Sequence, residues 1–333
     1  MARRLLRSLA AAACQSTATG MSLARHVQAT TCCGAPVSRI LVLGDGDLSC
    51  ASAVREASSA EVVATTFESE SSLEDKYGPA ATRRARALGV RYGVDATAPA
   101  VDGRFDRVIF NFPHVAGKQN IGRNRELLRA SCAAVERGVL AERGEFLLAL
   151  DGGQAGDDAG DDDAGRQRYK ASWMLEVQAA EAGLLVAEAA PFDVFYESRS
   201  HRRGRRFSPN GAALYALARD ADLAGAAAAS APAYDFEIQF WSDAADDDAS
   251  VAAAIRGAAR HPDLIHDVSR VERYVHGNGR TSHAFRVVVG SKRRALTREQ
   301  ADEVREAVEA NIAIEIREGR SGRRVSAPRP WPT

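Results

Sequence analysis

Two different hydrophobic patterns follow one another along the chain. From Arg39 to Arg219, short aliphatic runs alternate with stretches of helical periodicity. Buried strands of this kind read as continuous Val, Ile and Leu runs bounded by turn residues. The runs predict a first strand from Arg39, then strands at 61–67, 91–94, 107–110 and 145–150, with late strands at 185–189 and 212–218. Helices are predicted after Leu48 (SCASAVREA) and over 71–76, 79–88, 121–137 and 172–182. Such alternation implies an α/β unit whose mostly parallel sheet is covered on both faces and binds ligands beyond the carboxyl ends of its strands. After DADLAGAAAASAPA (220–233), which reads as a linker, the order changes. Strand 234–241, helix 250–260, strand 265–275, a turn at Gly277-Asn278-Gly279, strand 282–289, helix 297–310 and strand 312–317 form a split β-α-β pattern of α+β, ferredoxin-like type. Thr297 and Gln300 supply a capping box for its second helix.

Two of the predicted strand ends carry unusual chemistry. The first runs into Gly44-Asp45-Gly46-Asp47, where glycines permit a tight turn and close backbone approach to a ligand, and the free amides of the following helix would favour an anionic group. Ser49 stands where a dinucleotide fingerprint needs a third Gly or Ala, which disfavours a nicotinamide enzyme. The fourth strand runs into Asn111-Phe112-Pro113-His114. Pro113 forces Phe112 out of helical geometry, so the Asn111 amide and the backbone carbonyls are held in a fixed direction. Acceptors beside rings make a wall suited to a planar nitrogen heterocycle.

ILVLGDGDLS, VVATTFESESSLEDKYG, GVDAT, FDRVIFNFPHVAGK, RNRELLRA and PFDVFYESRSHRRGRRF together resemble the family of 25S rRNA uridine-N3 methyltransferase-like proteins over about residues 39–219. The chain departs from that pattern in its GDGDLS loop and in DGGQAGDDAGDDDAG after the fifth strand. The resemblance implies a Rossmann-like class I methyltransferase sheet and S-adenosylmethionine as cofactor, seated on Gly44, Asp45, Gly46 and Asp47. Glu68 would accept from the ribose hydroxyls and Asp95 from the adenine amino group, although Asp95 fits an Asx turn nearly as well and Asp47 can serve the loop alone. Methyl transfer from a sulfonium asks mainly for position. Asn111 or the Phe112 carbonyl would aim the uridine N–H, with Pro113 shaping the corner and His114 available as a proton acceptor, a stacking ring or an exposed loop residue. YDFEIQFW, DVSRVERYVHGNGRTSHAFRVVV and LTREQADEV resemble the ferredoxin-fold anticodon-binding domain of phenylalanyl-tRNA synthetases, which implies RNA contact by residues 234–318.

Charge changes the picture only locally. The chain has 44 basic and 44 acidic residues, and residues 234–318 carry 12 Lys and Arg against 16 Asp and Glu, a net of about minus four. RNA contact therefore falls to clusters: Arg199, Arg202, Arg203, Arg205 and Arg206 in the first block, and Arg280, Arg286, Lys292, Arg293 and Arg294 in the second, with Arg320, Arg323 and Arg324 in a basic tail at 319–333. The acidic Gly-rich stretch 151–165 reads as a loop without fixed structure. Residues 1–38 hold four arginines and no acid, the composition of a mitochondrial or chloroplast transit peptide or of an alanine-rich disordered tail. Without such a leader, cytoplasm or nucleolus is expected. Five cysteines lack ligand spacing with histidines, so reduced thiols and no structural metal are expected, and no apolar run is long enough to cross a bilayer. The rival to an enzyme is a noncatalytic RNA-binding or assembly protein with a degenerate methyltransferase domain.

Overall fold

The computed structural model describes residues 21–115, 120–157, 162–193, 195–196, 208–242, 247–277 and 281–318. It divides into two compact units, Met1–Ala231 with Lys292–Ala295, and Pro232–Ser291 with Leu296–Thr333.

The first unit is built on a six-stranded sheet. Its strands are β1 (Arg39–Val42), β2 (Glu61–Ala64), β3 (Phe105–Asn111), β4 (Leu140–Leu150), β5 (Leu184–Pro191) and β6 (Ala213–Arg219), in spatial order β2-β1-β3-β4-β6-β5. The first four pair in parallel, and β6 inserts antiparallel between β4 and the edge strand β5. This is the α/β, Rossmann-like arrangement of class I methyltransferases. Side-chain alternation sends Leu41, Val108, Phe110, Phe146 and Leu148 to one core, under α5 (Ile121–Ala134) and α7 (Leu175–Ala180). Ile40, Val42, Ile109, Leu147 and Ala149 line the opposite core with Cys50, Ala51 and Val54 of α2 (Ser49–Ala57). The strand period of two, with both faces covered, explains why these runs carry almost no polar residue.

Several expectations need correction. Residues 91–94 form no strand: Arg91 bridges Thr65 singly, and Gly93, with φ +68°, turns the chain out of extended geometry. Their backbone still follows β2, since the Val94 amide donates to the Thr66 carbonyl at 3.0 Å. The expected loop 151–165 overlaps α6 (Asp163–Ala171), whose N-cap Asp162 accepts from the Gly165 amide at 2.6 Å. Ahead of it Asp157 accepts from Tyr215 Oη at 2.7 Å. An acidic, Gly-rich composition hides such caps because the same residues that solvate loops also start helices. The helix expected over 172–182 is shorter, confined to α7, because Met174 takes left-handed backbone before it.

The largest departure is at the amino terminus. Residues 21–38, expected to belong to a leader or tail, are packed as part of the unit. Here α1 (Met21–Val27) leads into a segment that doubles back in a turn, Thr30 bridging Pro36, and is held by a buried ion pair from the sheet. Arg107 on β3 and Glu145 on β4 are both fully buried and meet at 2.6 Å. Arg107 donates onward to the carbonyls of His26, Gln28 and Thr30 at 2.8–2.9 Å. Glu145 accepts from Arg25 and from the Cys32 amide at 2.7 Å. A buried pair survives only when its remaining hydrogen-bonding capacity is met, and the amino-terminal segment meets it.

In the second unit, β7 (Ala233–Ser242), β8 (Ile265–Val275) and β9 (Thr281–Gly290) form an antiparallel sheet in order β7-β9-β8. Two helices, α8 (Asp248–Ala258) and α9 (Arg298–Glu318), complete a small α+β, ferredoxin-like unit. The strand expected at 312–317 is the last stretch of α9. Extending a helix already nucleated adds one hydrogen bond per residue fixed, and here that outweighs the alternating isoleucines.

Candidate functional site

β1 and β3 are adjacent parallel strands, with Val42 opposite Ile109, so the glycine turn and the Asn-Phe-Pro-His corner leave the same end of the sheet side by side. The contact is direct. Gly44 has φ +60°, and a Cβ there would lie 2.7 Å from the ring of Phe110. Asn111 Nδ2 lies 3.3 Å from Sγ of Cys50, in the first turn of α2. Backbone strain marks both corners: Leu48, the residue capping α2, has φ 63° and Phe112 has φ 53°. Non-glycine residues in this region cost roughly 1–3 kcal/mol each and persist where the surroundings enforce them, often at functional sites. Leu48 is enforced by complete burial against Leu73, Tyr77 and Ala81, and Phe112 by the bond from its amide to the Ala149 carbonyl at 2.8 Å.

The glycine turn differs electrostatically from the sequence reading. The amides at the start of α2 are not left for an anion. Asp45 Oδ2 accepts from the Ala51 amide at 2.7 Å, and Asp47 Oδ1 from the Ser49 amide at 3.2 Å and the Ser49 hydroxyl at 2.6 Å. Asp47 is buried and also faces Arg84, whose Nε donates to the Asp47 carbonyl at 2.8 Å. It therefore supports the loop. Burial, reinforced by the Asp47 carboxylate, pushes the Asp45 carboxyl up to about 7, against the pull of the Ala51 amide and Arg84. A second side chain that the sequence did not mark is Tyr77 at the end of α3 (Glu70–Tyr77), whose hydroxyl would meet a Cβ placed on Gly46. Burial, then the charges of Glu68, Asp47 and Asp45, raise its phenol above the usual range.

Glu68 lies just past β2, at the same end of the sheet. Lys76 Nζ donates to both of its oxygens at 2.7 Å and Ser72 Oγ to one at 3.1 Å. Exposed Phe67 precedes it. Asp95 makes the Asx turn: its Oδ1 accepts from the amide and the hydroxyl of Thr97, both at 2.8 Å. Pro113 is buried and His114 half-buried. The corner is fastened to α5 by Asn124, whose Oδ1 accepts from the Val115 amide at 3.1 Å.

Asn111 sits in a cluster that sequence reasoning did not assemble. Its Nδ2 is 3.2 Å from His26 Nε2 and 3.4 Å from Tyr196 Oη, with Phe192 and Phe195 packed around them. His26 and Tyr196 are 85 residues from Asn111 on either side, and no local spacing links them.

Arg199, Arg202, Arg203, Arg205, Arg206, Arg280 and the basic tail lie outside the described residues. Arg286 on β9 pairs with Asp235 at 2.6 Å. Lys292, Arg293 and Arg294 fall in the short segment assigned to the first unit, where Lys292 Nζ donates to the Ala229 carbonyl at 2.7 Å. Among the described residues no group of three His, Cys, Asp or Glu could hold a metal ion, and no helix is long and apolar enough to cross a membrane.

Sheet order, with the glycine turn and the corner beside it at one end of the strands, defines the first unit as a Rossmann-like α/β domain. Residues 41–203 match the BMT5-like family, described as rRNA (uridine-N3-)-methyltransferase BTM5-like. Two relatives share 36% and 35% identity over 169 residues: the ferredoxin-fold anticodon-binding domain-containing protein 1 homolog of Mus musculus and its Homo sapiens counterpart. Each alignment covers 46% of this chain and 26% of the relative, so the chain spans about a quarter of the length of these proteins. Among solved structures, TrmN from Thermus thermophilus is similar at 16% identity and a TM-score of 0.35, covering 59% of this chain and 47% of that one.

Proposed function

We propose that this protein is an S-adenosylmethionine-dependent RNA methyltransferase acting at uridine N3 of ribosomal or other structured RNA. The observation that carries the cofactor is the charge at the glycine turn. Two carboxylates, Asp45 and Asp47, face the turn and already occupy amides at the start of α2. A pyrophosphate there would meet like charge, whereas a sulfonium with an ammonium group is attracted. Gly44 and Gly46 admit the methionine portion, and the lone pairs of Glu68 not engaged by Lys76 and Ser72 accept from the ribose hydroxyls. Asp95 and exposed Phe67 flank the adenine side. The bound cofactor supplies an electrophilic methyl group. What the chain adds is orientation: Asn111 accepts from the base N–H, Phe112 and the carbonyls beside Pro113 form the wall, and His114 is within the same corner to take the proton.

The family match supports RNA as substrate, the ferredoxin-like unit supports RNA presentation through Arg280 and Arg286, and the arginines at 199–206 add phosphate contacts from the first unit. Organellar residence is part of the reading and rests on the acid-free first 38 residues. Because residues 21–38 are built into the domain, a cleaved leader would end before Met21. Calorimetry with S-adenosylmethionine and nucleoside mass spectrometry after incubation with deproteinised large-subunit rRNA test the proposal. Saturable binding and N3-methyluridine are expected. Undetectable binding at millimolar cofactor favours the noncatalytic RNA-binding alternative.

A further inference from the structure

We infer that His26 is the positioning residue of Asn111, fixing which end of its carboxamide is offered to the substrate. The inference rests on the reading of Asn111 as acceptor for uridine N3–H. A carboxamide has one accepting and one donating end, and a ring nitrogen that still carries its proton is aimed only by the accepting end.

The structure turns the donating end inward. Nδ2 has three acceptors within reach: His26 Nε2 at 3.2 Å, Cys50 Sγ at 3.3 Å and Tyr196 Oη at 3.4 Å. Rotating the amide by half a turn would set a donor against the substrate's own N–H, and its inward oxygen would then need His26 as the Nε2–H tautomer. His26 Nε2 is also 3.4 Å from Oδ1, so the imidazole spans the amide edge, and in its neutral Nδ1–H tautomer it accepts from Nδ2. The ring has little room to leave. It is completely buried, with Phe195 at 4.8 Å and Phe192 at 5.9 Å between ring centroids. Its backbone is pinned as well, since the His26 carbonyl accepts from Arg107 Nη1 at 2.8 Å and the preceding Arg25 is bound to Glu145. The buried ion pair between β3 and β4 thus delivers an amino-terminal imidazole to the corner that ends β3.

Two variants separate positioning from packing. His26→Gln keeps an acceptor for Nδ2, and His26→Leu keeps comparable bulk without one. Turnover is read with tritiated S-adenosylmethionine and deproteinised large-subunit rRNA, cofactor affinity by calorimetry, and the Asn111 side-chain amide by its nitrogen-15 resonances, assigned by their loss in Asn111→Asp. His26→Leu is expected to lower kcat by about 10- to 100-fold, with cofactor affinity and KM within about threefold. Its Asn111 amide should exchange with water about tenfold faster, and His26→Gln should recover most of both losses. Equal kcat and unchanged amide exchange in folded His26→Leu overturn the inference, as does identical behaviour of the two variants. If the unaltered protein makes no N3-methyluridine, the functional reading fails, while the amide comparison still decides whether His26 orients Asn111.

Discussion

Asp45 and Glu145 are acids of one unit, and their surroundings drive them in opposite directions. Glu145 lies between two guanidiniums. Burial alone would raise its carboxyl, but hydrogen bonds and charge from Arg25 and Arg107 hold it below the usual range. Asp45, at the glycine turn, is buried with a second carboxylate for a neighbour, which outweighs the pull of the Ala51 amide and Arg84. One site is compensated by the protein; the other is left with excess negative charge. An acid fully satisfied within the fold belongs to architecture, whereas one left under-compensated at a ligand-binding strand end is where an external cation would gain most.

Breaking the compensated site should produce the largest effect. Arg107→Met leaves Glu145 buried with a single cation and frees three backbone carbonyls of the amino-terminal segment. A loss of about 3–5 kcal/mol is expected in urea denaturation. Hydrogen exchange should show residues 25–32 losing protection before the strands do. A variant as stable as the parent, with that segment still protected, would mean that the ion pair is not what holds it.

Next in size is the glycine turn. Gly44→Ala places a methyl group against Phe110 at φ +60°, and should destabilise by about 1–3 kcal/mol while weakening S-adenosylmethionine binding. Gly46→Ala meets the hydroxyl of Tyr77 and the ring carbon that carries it, Cζ, at 2.8 Å. Tyr77→Phe removes the hydroxyl and leaves Cζ in place, so it should recover part of the Gly46→Ala loss and none of the Gly44→Ala loss, a difference that calorimetry resolves.

The two acids should also separate by pH. Asp45 has its folded-state carboxyl raised from 3.8 to about 7, so its ionisation is resisted by the fold and stability falls as pH rises between those values. Asp45→Asn keeps an acceptor for the Ala51 amide and removes the charge. It should raise Tm at pH 8, leave it unchanged near pH 4, and weaken cofactor binding. Glu145 has the reverse sign: its contribution is present above its unfolded value of 4.5 and is lost as pH falls below it. A Tm gain for Asp45→Asn that is independent of pH would remove the electrostatic explanation.

Legibility in the sequence follows the same divide. The strand runs, the glycine turn and the Asn-Phe-Pro-His corner were readable because each is local: periodicity and turn chemistry act over a few residues. The shared end of the sheet followed from strand alternation. His26, Tyr196 and Tyr77 were not readable, since only tertiary packing brings them to the two corners. Residues 21–38 read as a tail because their composition lacks acids, yet the balancing acid, Glu145, lies 120 residues from Arg25. The 312–317 stretch shows the converse: two-residue periodicity was present, and an established helix overrode it.

The smallest effect concerns Glu68. Lys76 is 44% exposed and Glu68 12%, so the ion pair between them is largely screened and should be worth only about 0–1 kcal/mol. Its bearing on ligand binding is another matter, because Lys76 holds both oxygens that the ribose hydroxyls would use. If the cofactor must share those oxygens, Lys76→Ala should leave Tm nearly unchanged and tighten S-adenosylmethionine binding slightly, by about two- to fivefold. If instead the ammonium fixes the carboxylate in its binding rotamer, the same variant should bind more weakly by a similar factor. Glu68→Gln, which weakens the ion pair and keeps one acceptor, should then bind more weakly than Lys76→Ala under the first arrangement and about equally under the second. The order of these two affinities decides whether Lys76 competes with the cofactor or presents Glu68 to it.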